Sequence, residues 1–436
     1  MFEQEIARKL LDFRVDGIPK YYPRKAPVII VDRMVSTVIG GRRTGKSFRV
    51  IQSADELLRK KFIKSADQIC YLDFDNSILS KMNSKDLPQI QTTFLKLSPQ
   101  FDTSAPLVFI LDEIHKIPGW EDYVVDLSRN PHWKVFVTGS SSKLIRQEIA
   151  TELRGKAVSS EIYPLSFSEY LTFKELTANI NSTKGMAEVK RFFDEYLAWG
   201  GYPALVHLDN FTREAVLREY FDTMILKDVI ERYDVSKPKQ CVYLYEYLLS
   251  NIGKPFTLQS AFGHLKTAGF DTSRDTVRDY LGWASDSWLT FAVSIYSDSL
   301  KEQARNYKKL YAIDWALAHT NSFVWDGGLS RSLENLVFIH LKQKWRKVFY
   351  YLTKSKRQEV DFIVKDTAGH PAMAVQVCLD ITGDETRNRE LEPLIAASRY
   401  FGIKNSFIVT LNNEADFNSE GVKVKAIPAW KWLLGP

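Results

Sequence analysis

The strongest constraint on the fold is a glycine-rich segment near the start of the chain, IGGRRTGKSFRV. Its residues Gly40, Gly45, Lys46 and Ser47 fit the pattern G-x-x-x-x-G-K-[ST]. The run before it, MVSTVI, is apolar and β-branched, which is typical of a buried strand. The residues after it carry apolar side chains at helical spacing. The pattern therefore lies in a predicted strand-to-helix turn, which is the context in which it binds phosphate.

Each position of this turn has a chemical role in phosphate binding. Glycines let the backbone approach the phosphates, and the free N–H groups at the helix start supply donors and a positive dipole end. Lys46 is predicted to reach the β- and γ-phosphates, and the Ser47 hydroxyl to bind Mg²⁺. The alternative is a tight glycine turn followed by an incidental lysine. The predicted nucleotide-binding residues of the turn are Gly40, Gly41, Arg42, Arg43, Thr44, Gly45, Lys46 and Ser47.

A second segment, PLVFILDEIHKIPGW, supplies acidic residues. The run from Leu107 to Leu111 is continuously apolar, which predicts a strand buried on both faces. Asp112 and Glu113 follow at its carboxyl end, where α/β sheets place their ligands. We expect Asp112 to hold Mg²⁺ through water and Glu113 to polarise an attacking water, which favours hydrolysis over transfer to a substrate. The alternative is a solvated acidic strand end.

Two further polar positions follow these acids. The segment WKVFVTGSSSKLI reads as a third strand that turns polar at Thr138, Ser140 and Ser141. Ser140 is predicted to sense the γ-phosphate, although a serine-rich turn that caps the next helix explains the pattern nearly as well. Arg154 lies in a glycine-containing stretch and is a candidate arginine finger, in cis or on a neighbouring copy. The alternative for Arg154 is an ordinary surface position.

These segments together resemble a known family. The glycine-rich turn, the acidic strand end with HKIPGWE, the TGSSS segment and LRGKAVSSEIYPLSFSEYL are similar to prokaryotic AAA+-type ATPases. Members carry a winged-helix region and a C-terminal domain that resembles restriction endonucleases. The segments GGYPALV, ILKDVIERY and KLYAIDWAL match the order of the family, so the resemblance covers nearly the whole chain. It implies ATP as the nucleotide, with Mg²⁺, and a helical lid on the ATP-binding core.

The patterns and the resemblance predict an α/β fold class with several domains. The first is a P-loop NTPase core, a parallel sheet with flanking helices, over residues 1–162. A helical lid and connector would follow over 163–235 and a winged helix over 236–325. A C-terminal α/β nuclease-like domain would occupy 326–436.

The predicted winged helix leaves its partner open. Its recognition helix is expected to start near Ser273, with Thr272 and Asp275 as a capping pair. Arg274 and Arg278 lie on the outward face, but acids are interspersed with them. Phosphate binding needs an uncompensated basic surface. The net charge of +6 suits a nucleic-acid partner only mildly, so DNA and a protein both remain candidate partners.

The C-terminal segment resembles the PD-(D/E)XK nuclease fold but departs from its motif. Glu334 and Asp361 fall on the first two acidic positions, Gln376 falls on the third, and Cys378 falls on the lysine position. An amide is a poor ligand for a hard cation, and a thiol cannot supply the lysine charge. We therefore expect a degenerate site without nuclease activity. Asp380, two residues beyond Cys378, is expected on the same strand face and is a candidate replacement for the missing carboxylate.

The rest of the composition bears on location. No stretch approaches the ~20 apolar residues of a membrane helix, so no membrane partner is predicted. Cys70, Cys241 and Cys378 lie far apart, which favours a reducing compartment and a cytoplasmic location.

The function predicted from these patterns is that of a Mg²⁺-dependent, ATP-hydrolysing molecular switch of the AAA+ type. Two alternatives remain at this point. One is an ATP-gated nuclease. The other is a nucleotide-loaded regulator that docks a protein partner and hydrolyses little ATP.

Overall fold

The computed structural model divides the chain into two compact units, Met1–Ile162 and Tyr163–Pro436. The residues that it describes are 1–140, 153, 155–176, 182–326, 328–345 and 347–435. No helix among them combines the length and the apolar character that crossing a membrane requires.

The first unit is built on a five-stranded parallel sheet with the order β2-β3-β4-β1-β5. This sheet confirms the predicted parallel α/β core. Its strands are β1 (Val35–Ile39), β2 (Ile69–Asp73), β3 (Leu107–Asp112), β4 (Trp133–Gly139) and β5 (Ala157–Glu161).

Helices cover both faces of this sheet. Alternate residues of β3 point to opposite faces: Leu107, Phe109 and Leu111 pack in one apolar cluster, and Val108 and Ile110 in another. Burial on both faces explains why the sequence of β3 is continuously apolar rather than alternating. The described helices of this unit are α1 (Phe2–Asp16), α2 (Lys46–Arg59), α3 (Pro88–Lys96) and α4 (Glu121–Ser128).

The second unit begins with helices and a small antiparallel sheet. The sheet has the order β6-β8-β7, with β6 at Pro255–Phe256, β7 at Thr290–Val293 and β8 at Lys308–Ala312. Helix α7 continues directly into a π-helical turn, Leu226–Ile230. The described helices are α5 (Phe167–Phe173), α6 (Thr183–Trp199), α7 (Asn210–Ile225), α8 (Pro238–Leu249), α9 (Leu258–Thr267), α10 (Arg274–Asp286), α11 (Leu300–Arg305) and α12 (Trp315–Asn321).

Helix α10 begins where the sequence predicted, but with a different cap. The Ser273 side chain accepts a hydrogen bond from the Thr276 backbone N–H. The predicted capping pair of Thr272 and Asp275 is therefore wrong by one residue. Ser273 is the last residue with extended backbone, so its hydroxyl is the one that reaches the third N–H of the helix.

The second unit ends in a six-stranded mixed sheet with the order β13-β14-β12-β11-β10-β9. Strands β11, β12 and β14 run parallel, and the other pairings are antiparallel. The strands are β9 (Lys347–Leu352), β10 (Glu359–Lys365), β11 (Pro371–Val377), β12 (Asn405–Thr410), β13 (Ala415–Ser419) and β14 (Val422–Pro428), and the helices are α13 (Gly328–Lys344), α14 (Asp384–Phe401) and α15 (Ala429–Leu434).

Two sequence segments of the second unit, GGYPALV and KLYAIDWAL, meet at a buried carboxylate. Asp314 is fully buried and caps α12 by accepting hydrogen bonds from the N–H groups of Ala316 and Leu317, at 2.9 and 3.2 Å. The Gly201 N–H donates a third bond at 2.8 Å. At Gly200, which has φ +75°, a Cβ would lie 2.2 Å from an Asp314 carboxylate oxygen. Gly200 is therefore required by how closely the chain passes this carboxylate, whereas a Cβ on Gly201 would lie 2.6 Å from the Leu165 backbone oxygen.

Replacing Asp314 by alanine is expected to lower the free energy of unfolding by about 3 kcal/mol, because three buried N–H groups lose their acceptor. Urea unfolding measures the change. The matched control is Asp271→Ala, since the Asp271 side chain is 96% exposed and its loss should cost less than about 0.5 kcal/mol. Equal stability of the two variants would contradict the role of Asp314.

Candidate nucleotide-binding site

The glycine-rich turn joins β1 to α2 and depends on its two outer glycines. A Cβ on Gly40 would lie 2.1 Å from the backbone oxygen of Ile162, so only glycine fits there. Gly45 caps α2 with φ +92°, a left-handed conformation that favours glycine. The turn thus brings the backbone N–H groups at the start of α2 to the carboxyl edge of the sheet, a geometry that suits an anion.

Lys46 turns its ammonium back over this turn. The side chain is 6% exposed, and Nζ donates a hydrogen bond to the Gly41 carbonyl at 3.0 Å. The Thr44 hydroxyl donates to the same carbonyl at 2.9 Å. A nearly buried ammonium with one backbone acceptor is only partly compensated for its lost hydration. Lys46 can therefore gain by meeting an anion at the turn.

Arg24 supports the turn from a distant part of the sequence. Its guanidinium is buried and donates to the Thr44 carbonyl at 2.7 Å. The Gln52 side chain of α2 accepts from the Arg24 backbone N–H at 2.8 Å and donates to its carbonyl at 3.0 Å. Arg24 was not among the predicted site residues, because no local sequence pattern links it to a turn 20 residues away.

Asp112 ends β3 and is held by two hydroxyl groups. It is 3% exposed. The Thr138 hydroxyl of β4 donates to one carboxylate oxygen, and the Tyr71 hydroxyl of β2 donates to the other at 3.1 Å. These bonds fix the carboxylate at the carboxyl edge of the sheet in a single orientation. The contact of Thr138 with Asp112 was not predicted, since the sequence indicated Ser140 of this segment as a γ-phosphate sensor and no contact with the acid.

Glu113 lies next to both Asp112 and the ammonium of Lys46. Its backbone has φ +56°, and its N–H donates to the Thr138 hydroxyl oxygen at 2.9 Å. The carboxylate lies 3.8 Å from Lys46 Nζ and 3.4 Å from His115 Nδ1. The unusual backbone conformation turns the side chain toward the glycine-rich turn, which brings the two predicted functional segments together.

A further acid, Asp73, lies at the same edge of the sheet and was not among the predicted site residues. It ends β2 and is the direct neighbour of Asp112 in the parallel register. Burial, and then the charge of Asp112, raise the pKa of Asp73 to about 6. The signal was present in the sequence, because Asp73 follows the apolar strand ICYL as Asp112 follows LVFIL.

The remaining predicted residues differ in how deeply they are buried. Ser47 is half-buried in the first turn of α2, Arg42 is half-buried and Arg43 is exposed. Ser140 is buried directly after β4. Arg154 lies outside the described residues.

The oxygen atoms at the carboxyl edge of the five-stranded sheet fit a hard cation only when a nucleotide supplies further ligands. Within the described part of the chain, no group of three or more His, Cys, Asp and Glu side chains is placed to hold a metal ion. The Ser47 hydroxyl and the Asp112 carboxylate are oxygen donors of the kind that Mg²⁺ prefers, and Mg²⁺ commonly takes its other ligands from phosphates and water. The residues present therefore fit Mg²⁺ bound together with a nucleotide.

Comparison with family models agrees with this geometry. Residues 32–171 match the model of an AAA domain. The match supports a P-loop ATPase domain in this part of the chain, with the glycine-rich turn and the acidic strand end inside it. Residues 190–324 match a domain of unknown function.

The relatives found by sequence extend over most of the chain. The uncharacterized protein MJ1544 of Methanocaldococcus jannaschii is 29% identical over 427 residues, which cover 95% of this chain and 91% of that protein. An uncharacterized protein of Haemophilus influenzae is 27% identical over 80% of this chain and 83% of its own length. Among solved structures, the Walker-type ATPase paby2304 of Pyrococcus abyssi aligns over 73% of this chain and 95% of its own, with 15% identity. Its TM-score of 0.40 is too low to carry a conclusion.

Replacing Lys46 by alanine is expected to weaken ATP binding by about a hundredfold, or about 2.7 kcal/mol, because a charge-assisted contact to phosphate is lost. Isothermal titration calorimetry measures the affinity. Lys60→Ala is the matched control, since Lys60 is exposed at the other end of α2. Unchanged affinity in the Lys46 variant would reject the phosphate-binding assignment.

Proposed function

We propose that this protein is a Mg²⁺-dependent ATPase of the AAA type that acts as a molecular switch. The observation that carries the proposal is the meeting of Lys46 and Glu113, whose charged groups lie 3.8 Å apart at the carboxyl edge of a parallel sheet. One group suits the phosphates and the other suits an attacking water. The AAA domain match over residues 32–171 supports the same reading.

Nucleotide binding would begin with an exchange of partners at Lys46. The ammonium leaves the Gly41 carbonyl and the Glu113 carboxylate and pairs with the β- and γ-phosphates. Both present contacts are weak enough to exchange, since one acceptor is neutral and the carboxylate is beyond hydrogen-bond distance. The exchange also removes the Lys46 ammonium from Glu113, while the carboxylate keeps its contact with His115.

Hydrolysis would then use Glu113 to orient and polarise the attacking water. Asp112 stays fixed, because Thr138 and Tyr71 hold its two oxygens. Mg²⁺, when bound by Ser47 and Asp112, neutralises charge on the phosphates. The Thr138 hydroxyl also accepts the Glu113 N–H, so one β4 side chain positions both acids. Ser140 as a γ-phosphate sensor and Arg154 as an arginine finger remain part of the proposal.

The partner of the switch is proposed as either nucleic acid or protein. On α10, the Arg278 guanidinium is paired with Asp275, and Arg274 lies over the Phe262 ring at 5.6 Å. Asp275 offsets the Arg278 charge, whereas the ring contact leaves the Arg274 charge in place. Because Asp279 is also exposed on this helix, the surface carries charges of both signs, which favours a protein partner at this helix. Measuring the ATPase rate with single-stranded, double-stranded and structured nucleic acids separates the two, since stimulation would assign the partner to nucleic acid.

A cytoplasmic location is part of the same proposal, because Cys70, Cys241 and Cys378 are buried free thiols.

Nuclease activity is not part of the proposal. On the resemblance to the nuclease fold, Gln376 and Cys378 fall on the positions where the motif has an acid and a lysine. Asp380 does not lie on the face of β11, because that strand ends at Val377 and the Asp380 carboxylate accepts the Thr382 N–H. The suggestion that Asp380 shares the strand face is therefore wrong, and its carboxylate is engaged in a local turn.

Glu113→Gln is expected to bind ATP normally and to hydrolyse it at least tenfold more slowly, which corresponds to about 1.4 kcal/mol in the barrier. The amide keeps the shape of the side chain but cannot polarise water as a carboxylate does. Single-turnover hydrolysis and ATP affinity are measured together. Glu385→Gln, an exposed position on α14, should leave both unchanged. Hydrolysis near the wild-type rate would exclude Glu113 as the water-polarising group and favour a regulator that hydrolyses little ATP.

The purified protein is expected to leave plasmid and single-stranded DNA intact with Mg²⁺ or Mn²⁺ and ATP. The reason is the loss of two electrostatic contacts, each worth on the order of a hundredfold in rate. Asp361→Ala and the exposed control Asp416→Ala are assayed beside the wild type. Cleavage that disappears only in the Asp361 variant would establish an ATP-gated nuclease instead.

A further inference from the structure

Three carboxylates of the second unit converge on a single buried ammonium. Lys309 of β8 is 2% exposed. Its Nζ lies 2.8 Å from Glu334 of α13, 2.8 Å from Glu359 of β10 and 3.2 Å from Asp361 of β10. The cluster therefore joins the three-stranded sheet, a helix and the six-stranded sheet through one positive charge. We call these four residues the Lys309 cluster.

The carboxylates of the cluster are further fixed by groups around them. The Tyr311 hydroxyl donates to Glu334 at 2.7 Å, and the Val377 N–H donates to Asp361 at 2.9 Å. Such bonds hold the oxygens in a constant arrangement around the ammonium. The three carboxylates are thus arranged around the Lys309 ammonium, and with it in place they do not form a group that could hold a metal ion.

Gln376 shows that the surroundings are arranged to work without a metal ion. Its side-chain oxygen accepts the Asp361 backbone N–H at 3.2 Å, and its amide nitrogen donates to Glu390 at 2.7 Å. A carboxylate at position 376 could not donate, and it would face the Glu390 carboxylate. An amide is the side chain that satisfies both neighbours at once.

The charges of the cluster do not balance. Three carboxylates face one ammonium. Asp361 is buried, which raises its pKa to about 7, whereas the side chains of Glu334 and Glu359 are 16% and 31% exposed. The two glutamates alone exceed the single ammonium, and a partly buried surplus of negative charge is stabilised by a cation. Mg²⁺ and Mn²⁺ are held in proteins by carboxylate oxygens grouped in this way. If the ammonium were removed, the surplus negative charge would attract a cation of higher charge.

We infer that the Lys309 ammonium takes the position that a divalent metal ion would occupy among these carboxylates. The ammonium thus holds the helix and the two sheets of the second unit together without a metal ion, and it excludes Mg²⁺ and Mn²⁺ from the cluster. The inference goes beyond the proposed ATP hydrolysis and does not depend on it. It also differs from the replacement of the motif's acid and lysine by Gln376 and Cys378, because it concerns the carboxylates that the motif retains.

The test is Mn²⁺ binding by nucleotide-free, full-length protein, measured by calorimetry. Lys309→Ala removes the ammonium and leaves space, so it is expected to gain one Mn²⁺ site that the wild type lacks. Adding Asp361→Asn to that variant should weaken the new site at least tenfold. Lys309→Arg retains a cation and should gain no site.

The matched control is the neighbouring Lys308→Ala. The Lys308 ammonium is partly buried but donates to the Ser294 hydroxyl at 3.0 Å and the Gln303 carbonyl at 2.5 Å, and not to this cluster. Its removal should create no Mn²⁺ site. A gain in this variant equal to that of Lys309→Ala would overturn the inference.

Folding provides a second readout if Lys309→Ala is unstable. Circular dichroism is then followed with and without Mn²⁺, which is expected to restore the fold or raise the melting temperature. The double variant with Asp361→Asn should recover stability without metal, because it reduces the unpaired negative charge. The inference is overturned if a folded Lys309→Ala binds no Mn²⁺, or if neither Mn²⁺ nor Asp361→Asn rescues an unfolded one. It is also overturned if the wild type binds Mn²⁺ in a manner that Asp361→Asn abolishes.

Discussion

The parallel register of the first sheet is the constraint on which the candidate site depends. Ile39 pairs with Gly139, and Leu111 pairs with Val137, so β1, β3 and β4 all end at one edge. The glycine-rich turn, the two acids and the Thr138 hydroxyl follow from the same alignment. Because side chains alternate along a strand, a shift of one residue in β3 would turn Asp112 to the other face and separate it from Thr138.

Two buried lysines, Lys46 and Lys309, carry the same charge but have different partners. Lys46 has a neutral carbonyl acceptor and one carboxylate beyond hydrogen-bond distance, so an incoming phosphate can replace both contacts. Lys309 is surrounded by three carboxylates. Burial alone would lower the pKa of the Lys309 ammonium, but Glu334 and Asp361 reverse this effect and raise it well above its ordinary value. The first lysine is therefore suited to exchange partners, and the second is suited to hold elements together.

A buried carboxylate of the second unit, Asp314, also holds distant segments together. Asp314 accepts N–H groups from its own helix start and from Gly201, more than a hundred residues earlier. Gly200, which looks like a simple helix break in the sequence, is required because the chain passes within contact distance of this acid. Buried polar groups with complete sets of partners thus fix how distant segments of the unit meet.

The sequence by itself determined the features that rest on local patterns. These include the strand–turn–helix at Gly45, the buried strand before Asp112, the start of α10 at Ser273, and the parallel α/β class of the core. Tertiary structure decided which side chains meet: Thr138 and Tyr71 at Asp112, Arg24 at the glycine-rich turn, and Lys309 among the acids of the second unit. Periodicity reports burial and local conformation, whereas contacts between residues 20 to 52 positions apart leave no repeating pattern in the chain. Only the packing of strands and helices brings such residues together, and so only the structure could show them.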